Sequence, residues 1–264
     1  MITYQHIGKC GRFANQIFQI AGTIAVAERS GQAWAFPEWK NWDAQDRFGT
    51  TEDIDVQKYF VNPLPRLPVE IPGYMESFTS LGYFWGYQPL FLSGGNWDLS
   101  SIHFQSEKYW KGHENVIRHY MTMHQEPDYL DATALHIRHG DYSGWNEGYH
   151  PRCSIDYYRK ALECVNNEIL VFSDDNPGAA AMMDLIGREY KIIDKGYLES
   201  FAIMKKCKNF ITANSSYSMA AAYLGDQPGK IITAPAQWFG PSFGGPEDTA
   251  AMARDIYPDN CIVL

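Results

Sequence analysis

Leu135-His136-Ile137-Arg138-His139-Gly140-Asp141-Tyr142 starts as a strand and finishes as a cluster of charge. Together with Thr133 and Ala134, Leu135 and Ile137 form the short apolar run of a strand buried in a parallel sheet. Gly140 allows a sharp turn, since glycine tolerates positive φ and close approach of a second backbone. A guanidinium, two imidazoles and a carboxylate surround that turn, at the strand end where open α/β sheets bind ligands. Arg138 offers a planar fork for bidentate contact with phosphate, and Asp141 can accept a proton or orient a hydroxyl. An Arg–Asp ion pair closing a loop accounts for the same residues without any ligand.

Downstream, strand and helix alternate. Ser154 opens a helix over 155–165 as its N-cap. Ile169 to Phe172 is a buried strand that ends in Ser173-Asp174-Asp175, and Pro177 lies just inside the next helix. Lys191 to Ile193 is a third strand, and a helix from Leu198 to Lys206 carries a basic, solvated last turn. Asn209 to Ala213 is a fourth strand, followed by Asn214-Ser215-Ser216 and a helix to Tyr223; Lys230 to Ala234 is a fifth. This alternation predicts a parallel, doubly wound sheet. Three polar clusters then share its carboxyl edge: Arg138 to Asp141, Ser173 to Asp175, and Asn214 to Ser216. The last opens a helix, whose free N–H groups and dipole suit an anion. Each cluster alone is also an ordinary cap or turn; together they fit a nucleotide diphosphate.

Upstream, Ile2 to Ile7 reads as a strand, Gly8 to Arg12 as a turn, and Phe13 to Arg29 as a helix with apolar residues at helical spacing. Neither GxGxxG nor a Walker loop is present. Asn15 and Gln16 sit in the first turn of the helix, where amides cap, meet solvent, or face sugar hydroxyls. Ala33 to Phe36 predicts a further strand, and His113 to Met123 a helix. Between them Trp39, Trp42, Phe60, Phe78, Tyr83, Phe84, Trp85, Tyr87 and Trp97 mix with prolines, which predicts irregular loops whose rings either anchor them or stack on sugars. The expected division is 1–130 and 131–264.

The bulk composition narrows the partners. With 22 basic and 31 acidic residues among 264, the net charge is −9. That disfavours nucleic acid or an anionic membrane, so an anionic ligand needs a local cation. Five scattered cysteines without a CxxC pair indicate neither a zinc site nor a disulfide framework. No signal peptide or membrane span is recognisable, and a cytoplasmic protein, at most peripheral to a membrane, is expected.

Four pieces in order carry a resemblance: Gly11-Arg12-Phe13-Ala14-Asn15-Gln16-Ile17-Phe18-Gln19, His136 to Tyr142, Phe172 to Asp175, and Asn214-Ser215-Ser216-Tyr217-Ser218. The chain resembles the α-1,2-fucosyltransferases, glycosyltransferase family 11, although residues 38–125 match no motif. The resemblance implies an α/β fold of two Rossmann-like lobes with parallel sheets, glycosyltransferase B-type. The N-terminal lobe would face the acceptor and the second lobe would bind the nucleotide sugar. It implies inverting, metal-independent transfer of L-fucose from GDP-fucose to the 2-hydroxyl of a galactoside, with no cofactor. By the same resemblance Arg138 contacts the β-phosphate, Ser215 and Ser216 the phosphates, and His136 the nucleotide side, while Asn15 and Gln16 line the cleft. Ser173, Asp175, Glu199 and Asn214 complete the donor site. Asp141 is the candidate general base, with Asp174, Asp175 and Glu147 as rivals. The chain departs from the family pattern at His139, Ala14 and Glu199-Ser200, which leaves open another donor or linkage on the same fold. A non-catalytic carbohydrate-binding protein is the remaining alternative.

Overall fold

In the computed structural model the residues described are 1–41, 54–68, 75–77, 87–140, 142 and 147–264. They form two compact units, Met1–His124 and Gln125–Leu264. Residues 125–130 belong with the second, ahead of the expected division after residue 130. Glu126 pairs there with Lys205 and, at 3.3 Å, with Lys206, and the Leu130 N–H donates to the Lys206 carbonyl at 3.0 Å. The helix end expected to be solvated is thus closed by a carboxylate, and Lys205 is buried.

The first unit contains β1 (Ile2–Thr3), α1 (Phe13–Arg29), β2 (Lys40–Asn41), β3 (Ile54–Asp55), β4 (Met75–Ser77), β5 (Asn96–Asp98) and α2 (Glu114–Tyr120). Strands β1, β5 and β4 make a parallel sheet in that order. The first strand is shorter than its apolar run, because the chain turns at His6, whose carbonyl accepts the Lys9 N–H at 2.9 Å. Residues 33–36 contribute only isolated bridges, Ile2 with Trp34 and Phe36 with Arg66. Helix α1 is buried almost all round, including Gln16, Gln19 and Thr23, as an apolar sequence on nearly every face requires. Trp39 is core: its ring stacks on Phe60 and Phe13. Trp42, Phe78, Tyr83, Phe84 and Trp85 lie outside the described residues.

The second unit alternates regularly through β6 (Leu130–Ile137), α3 (Ile155–Glu163), β7 (Glu168–Ser173), α4 (Asn176–Ile186), β8 (Lys191–Ile192), α5 (Tyr197–Met204), β9 (Cys207–Ile211), α6 (Ser216–Leu224), β10 (Ile232–Ala234), α7 (Pro246–Ala253) and β11 (Cys261–Val263). The last helix and strand lack a strong apolar period and were not anticipated. All six strands are parallel, in the order β11-β10-β9-β6-β7-β8. Starting from β6 the chain builds outward through β7 and β8, crosses back, then builds the other way through β9, β10 and β11. That is the Rossmann order, and it leaves a switch point between β6 and β9.

Local chemistry sets the helix starts. Ser154 Oγ accepts the Tyr157 N–H at 3.2 Å, and Asp175 Oδ1 accepts that of Gly178 at 3.1 Å, so two orphan donors are satisfied. Helices α3 and α4 pack on one face of the sheet, with Tyr158, Leu162, Ala179 and Met183 against Leu135, Ile137, Val171 and Ile211. Each large side chain buried this way contributes roughly 1.5–3 kcal/mol. The α/β class with parallel sheets is the one expected. No helix among the described residues is long and apolar enough to cross a membrane.

Candidate functional site

Strand register assembles the site in the second unit. Pairing places His136 opposite Phe172 and Ile137 opposite Ser173, so Arg138 and Asp174 leave the sheet side by side. The Arg138 Nη1 stands 2.7 Å from Asp174 Oδ2, and Asp174 Oδ1 accepts the His139 backbone N–H at 2.9 Å. One carboxylate thus fixes both the guanidinium and the turn. Gly140 is needed for close approach and not for a left-handed φ: a Cβ there would stand 2.1 Å from Asp174 Oδ2.

Ser173 and Asp175 serve the next helix. Ser173 Oγ accepts the Asp175 N–H at 3.0 Å. Asp175 caps α4 through Oδ1, and its Oδ2 lies 3.2 Å from His139 Nδ1. The Gly178 amide, with His139, holds the Asp175 carboxyl below the usual carboxylate range.

On the other side of the switch point, Asn214-Ser215-Ser216 leads from β9 into α6. Asn214 is buried, and its amide donates to Pro151 O at 2.9 Å and Trp238 O at 3.1 Å. Its side chain therefore braces the turn. Ser215 caps α6, its Oγ accepting the Tyr217 N–H at 3.3 Å; Ser216 is the first helical residue and half-buried. Amide groups of this first turn, with the helix dipole, form an anion-accepting end.

His136 is buried beneath both elements. Its Nδ1 lies 3.0 Å from Ser218 Oγ on α6, and its ring centroid is 5.5 Å from that of Tyr217. Burial and the nearby Arg138 charge push its pKa down to about 3, so at pH 7 the imidazole is neutral. It links β6 to α6 and adds no charge.

Three tyrosines given no role in the sequence analysis pin the same edge. Tyr158 OH donates to His136 O at 2.9 Å, Tyr157 OH to Thr212 O at 2.6 Å, and Tyr142 OH to Asn214 O at 2.9 Å. The Arg138 Cζ lies 5.4 Å from the centroid of the Tyr142 ring. Glu199, in the first turn of α5, is half-buried, and its carboxylate makes no hydrogen bond or ion pair among the described residues. Asp141 lies outside the described residues; Glu147 is exposed.

In the first unit, Gln16 spends both amide atoms internally. Its Nε2 donates to Gly11 O at 2.8 Å and its Oε1 accepts the Trp39 indole N–H at 2.6 Å. Asn15 Oδ1 accepts from Gln105 Nε2 at 2.8 Å, and the left-handed φ of +76° at Gly11 lets the turn pass over Asn15. No cluster of His, Cys, Asp or Glu able to hold a metal occurs among the described residues.

The second unit is of the Rossmann class, with a fixed guanidinium on one side of the switch point and a helix N-terminus on the other. A family model described as glycosyl transferase family 11 matches residues 71–251. The chain belongs to that family. A curated relative, the O-antigen biosynthesis glycosyltransferase WbnK of Escherichia coli, is 38% identical over 120 residues, 41% of this chain and 39% of the relative. The match thus spans about two fifths of that relative's length. Among solved structures, POFUT1 in complex with GDP-fucose aligns with 86% of this chain and 94% of its own, at TM-score 0.47 and 12% identity. NodZ alpha-1,6-fucosyltransferase soaked with GDP-fucose aligns with 85% of this chain and 90% of its own, at TM-score 0.46 and 12% identity. A further structure of fucosyltransferase NodZ, from Bradyrhizobium, covers 84% of this chain and 90% of its own, at TM-score 0.43 and 9% identity.

Proposed function

We propose that this chain transfers L-fucose from GDP-fucose to the 2-hydroxyl of a galactoside, with inversion and without a metal. The observation that carries the reading is the placement of Arg138 and the α6 N-terminus on the two strands flanking the switch point. Membership of a glycosyltransferase family makes a nucleotide diphosphate the fitting occupant.

In this reading Arg138 contacts the β-phosphate, and the Ser215 and Ser216 amides and hydroxyls take the remaining phosphate oxygens. As the sugar–phosphate bond breaks, charge grows on the leaving diphosphate, and a guanidinium already fixed by Asp174 stabilises it without reorganising. Arg138 can so take the part a metal plays elsewhere. The acceptor hydroxyl attacks from the opposite face of the sugar while a base removes its proton. Asp141 keeps that role. Asp174 and Asp175 are engaged by Arg138, by His139 and by the α4 cap, which argues against either as base. Glu199, whose carboxylate is unengaged among the described residues, would meet a guanine N–H edge. Asn15 and Gln16 support the reading only through the turn they hold.

The test is transfer from GDP-fucose to a panel of galactosides in EDTA. A product with fucose on O2 of galactose, formed as fast as without EDTA, is expected. Transfer only from another nucleotide sugar, or to another position, would contradict it.

A further inference from the structure

Tyr142 joins the two anion-accepting elements. Its OH donates to Asn214 O at 2.9 Å, in the turn that leads into α6, and the Arg138 guanidinium carbon stands over its ring at 5.4 Å from the centroid. The ring is buried and stacks on His150 at 5.1 Å with an interplanar angle of 15°. A short, rigid side chain is therefore bonded to one side of the switch point and packed under the cation of the other. Asp174 holds the guanidinium through Nη1 at 2.7 Å, and the aromatic ring beneath it adds a contact that favours one plane of the guanidinium.

We infer that Tyr142 is a positioning residue that sets the plane of Arg138 and its span to the α6 N-terminus, and thereby the recognition of the second phosphate. This rests on the reading that Arg138 meets a donor β-phosphate. It never touches the reacting atoms, so its loss weakens contacts made through Arg138 and spares those made elsewhere to the nucleotide.

Calorimetric titration of the full chain with GDP and with GMP isolates that contact, because GMP lacks the β-phosphate. Tyr142→Leu is expected to reduce the GDP-to-GMP affinity ratio about tenfold, the scale of a partly buried cation–π contact, with GMP affinity held. Tyr142→Phe keeps the ring's volume and stack and loses only the tether; about a threefold reduction is expected, with turnover falling less than in the leucine variant. In an Arg138→Ala background neither change should alter the ratio further. If GDP and GMP weaken equally in Tyr142→Phe, or if the ratio is unchanged, Tyr142 is only packing and the inference fails while the donor reading stands. If the unaltered chain does not prefer GDP to GMP, the donor reading itself fails and takes the inference with it.

Discussion

The two edges of the six-stranded sheet use similar residues to opposite ends. At the amino edge, Thr133 and Asn209 both donate to Asn167 Oδ1, Lys208 meets Asp131 at 3.3 Å, and Glu126 binds Lys205 and Lys206. Lys230 Nζ donates to Ala222 O at 2.7 Å, in the last turn of α6, and to Gly225 O at 2.6 Å, just past its end. Cations there sit at helix C-termini, where the dipole favours them. At the carboxyl edge Arg138 stands among helix N-termini, where the dipoles oppose a cation and favour an anion. Among the described residues the amino edge pairs its cations with carboxylates and helix carbonyls, whereas the carboxyl edge, where parallel strands place every helix N-terminus, is the one the proposed function gives to a ligand.

The largest predicted effect breaks the open edge. Arg138→Ala should cost two to three orders of magnitude in turnover and donor affinity, about 3–4 kcal/mol for a charge-assisted contact in a closed site, read in steady-state kinetics. Lys206→Ala at the closed edge should leave both unchanged. Conversely, Glu126→Ala strands the buried Lys205 ammonium, whose pKa burial already lowers. Losing one partner of a buried pair costs about 3 kcal/mol, so urea unfolding should shift strongly while GDP binding holds.

Smaller effects sharpen the contrast. Asp174→Asn should weaken GDP about tenfold through a looser Arg138 and leave the pH profile of turnover in place; a loss confined to turnover would make Asp174 the base instead. His136 supplies the pH dependence. Its folded pKa is depressed to about 3, below an ordinary 6.5, so below pH 6.5 the unfolded chain takes a proton that the folded chain refuses. Stability should fall by about 1.4 kcal/mol per pH unit from 6.5 downward on this account, and His136→Asn should flatten that slope in unfolding curves.

Much of the second unit was legible in the sequence, because short apolar runs alternate with Ser154, Pro177 and Ser215, which mark helix starts. The carboxyl-edge clusters were legible for the same reason. What stayed hidden depends on register and backbone. Asp141 is the acid nearest Arg138 in sequence, but strand pairing brings Asp174 to it. Tyr142, Tyr157 and Tyr158 act on carbonyl oxygens, which every residue carries, so no side-chain pattern advertises them. Asn214 and Gln16 look like ligand amides in the sequence and spend their bonds on backbone or indole partners. The basic end of α5 read as solvated because Glu126 lies far from it along the chain.

The most direct test is a calorimetric titration of the unaltered chain and of Arg138→Ala with GDP and UDP in EDTA. The account predicts metal-independent binding of GDP in preference to UDP, weakened at least a hundredfold in the variant. Equal GDP affinity in the two proteins would place the nucleotide elsewhere and contradict it.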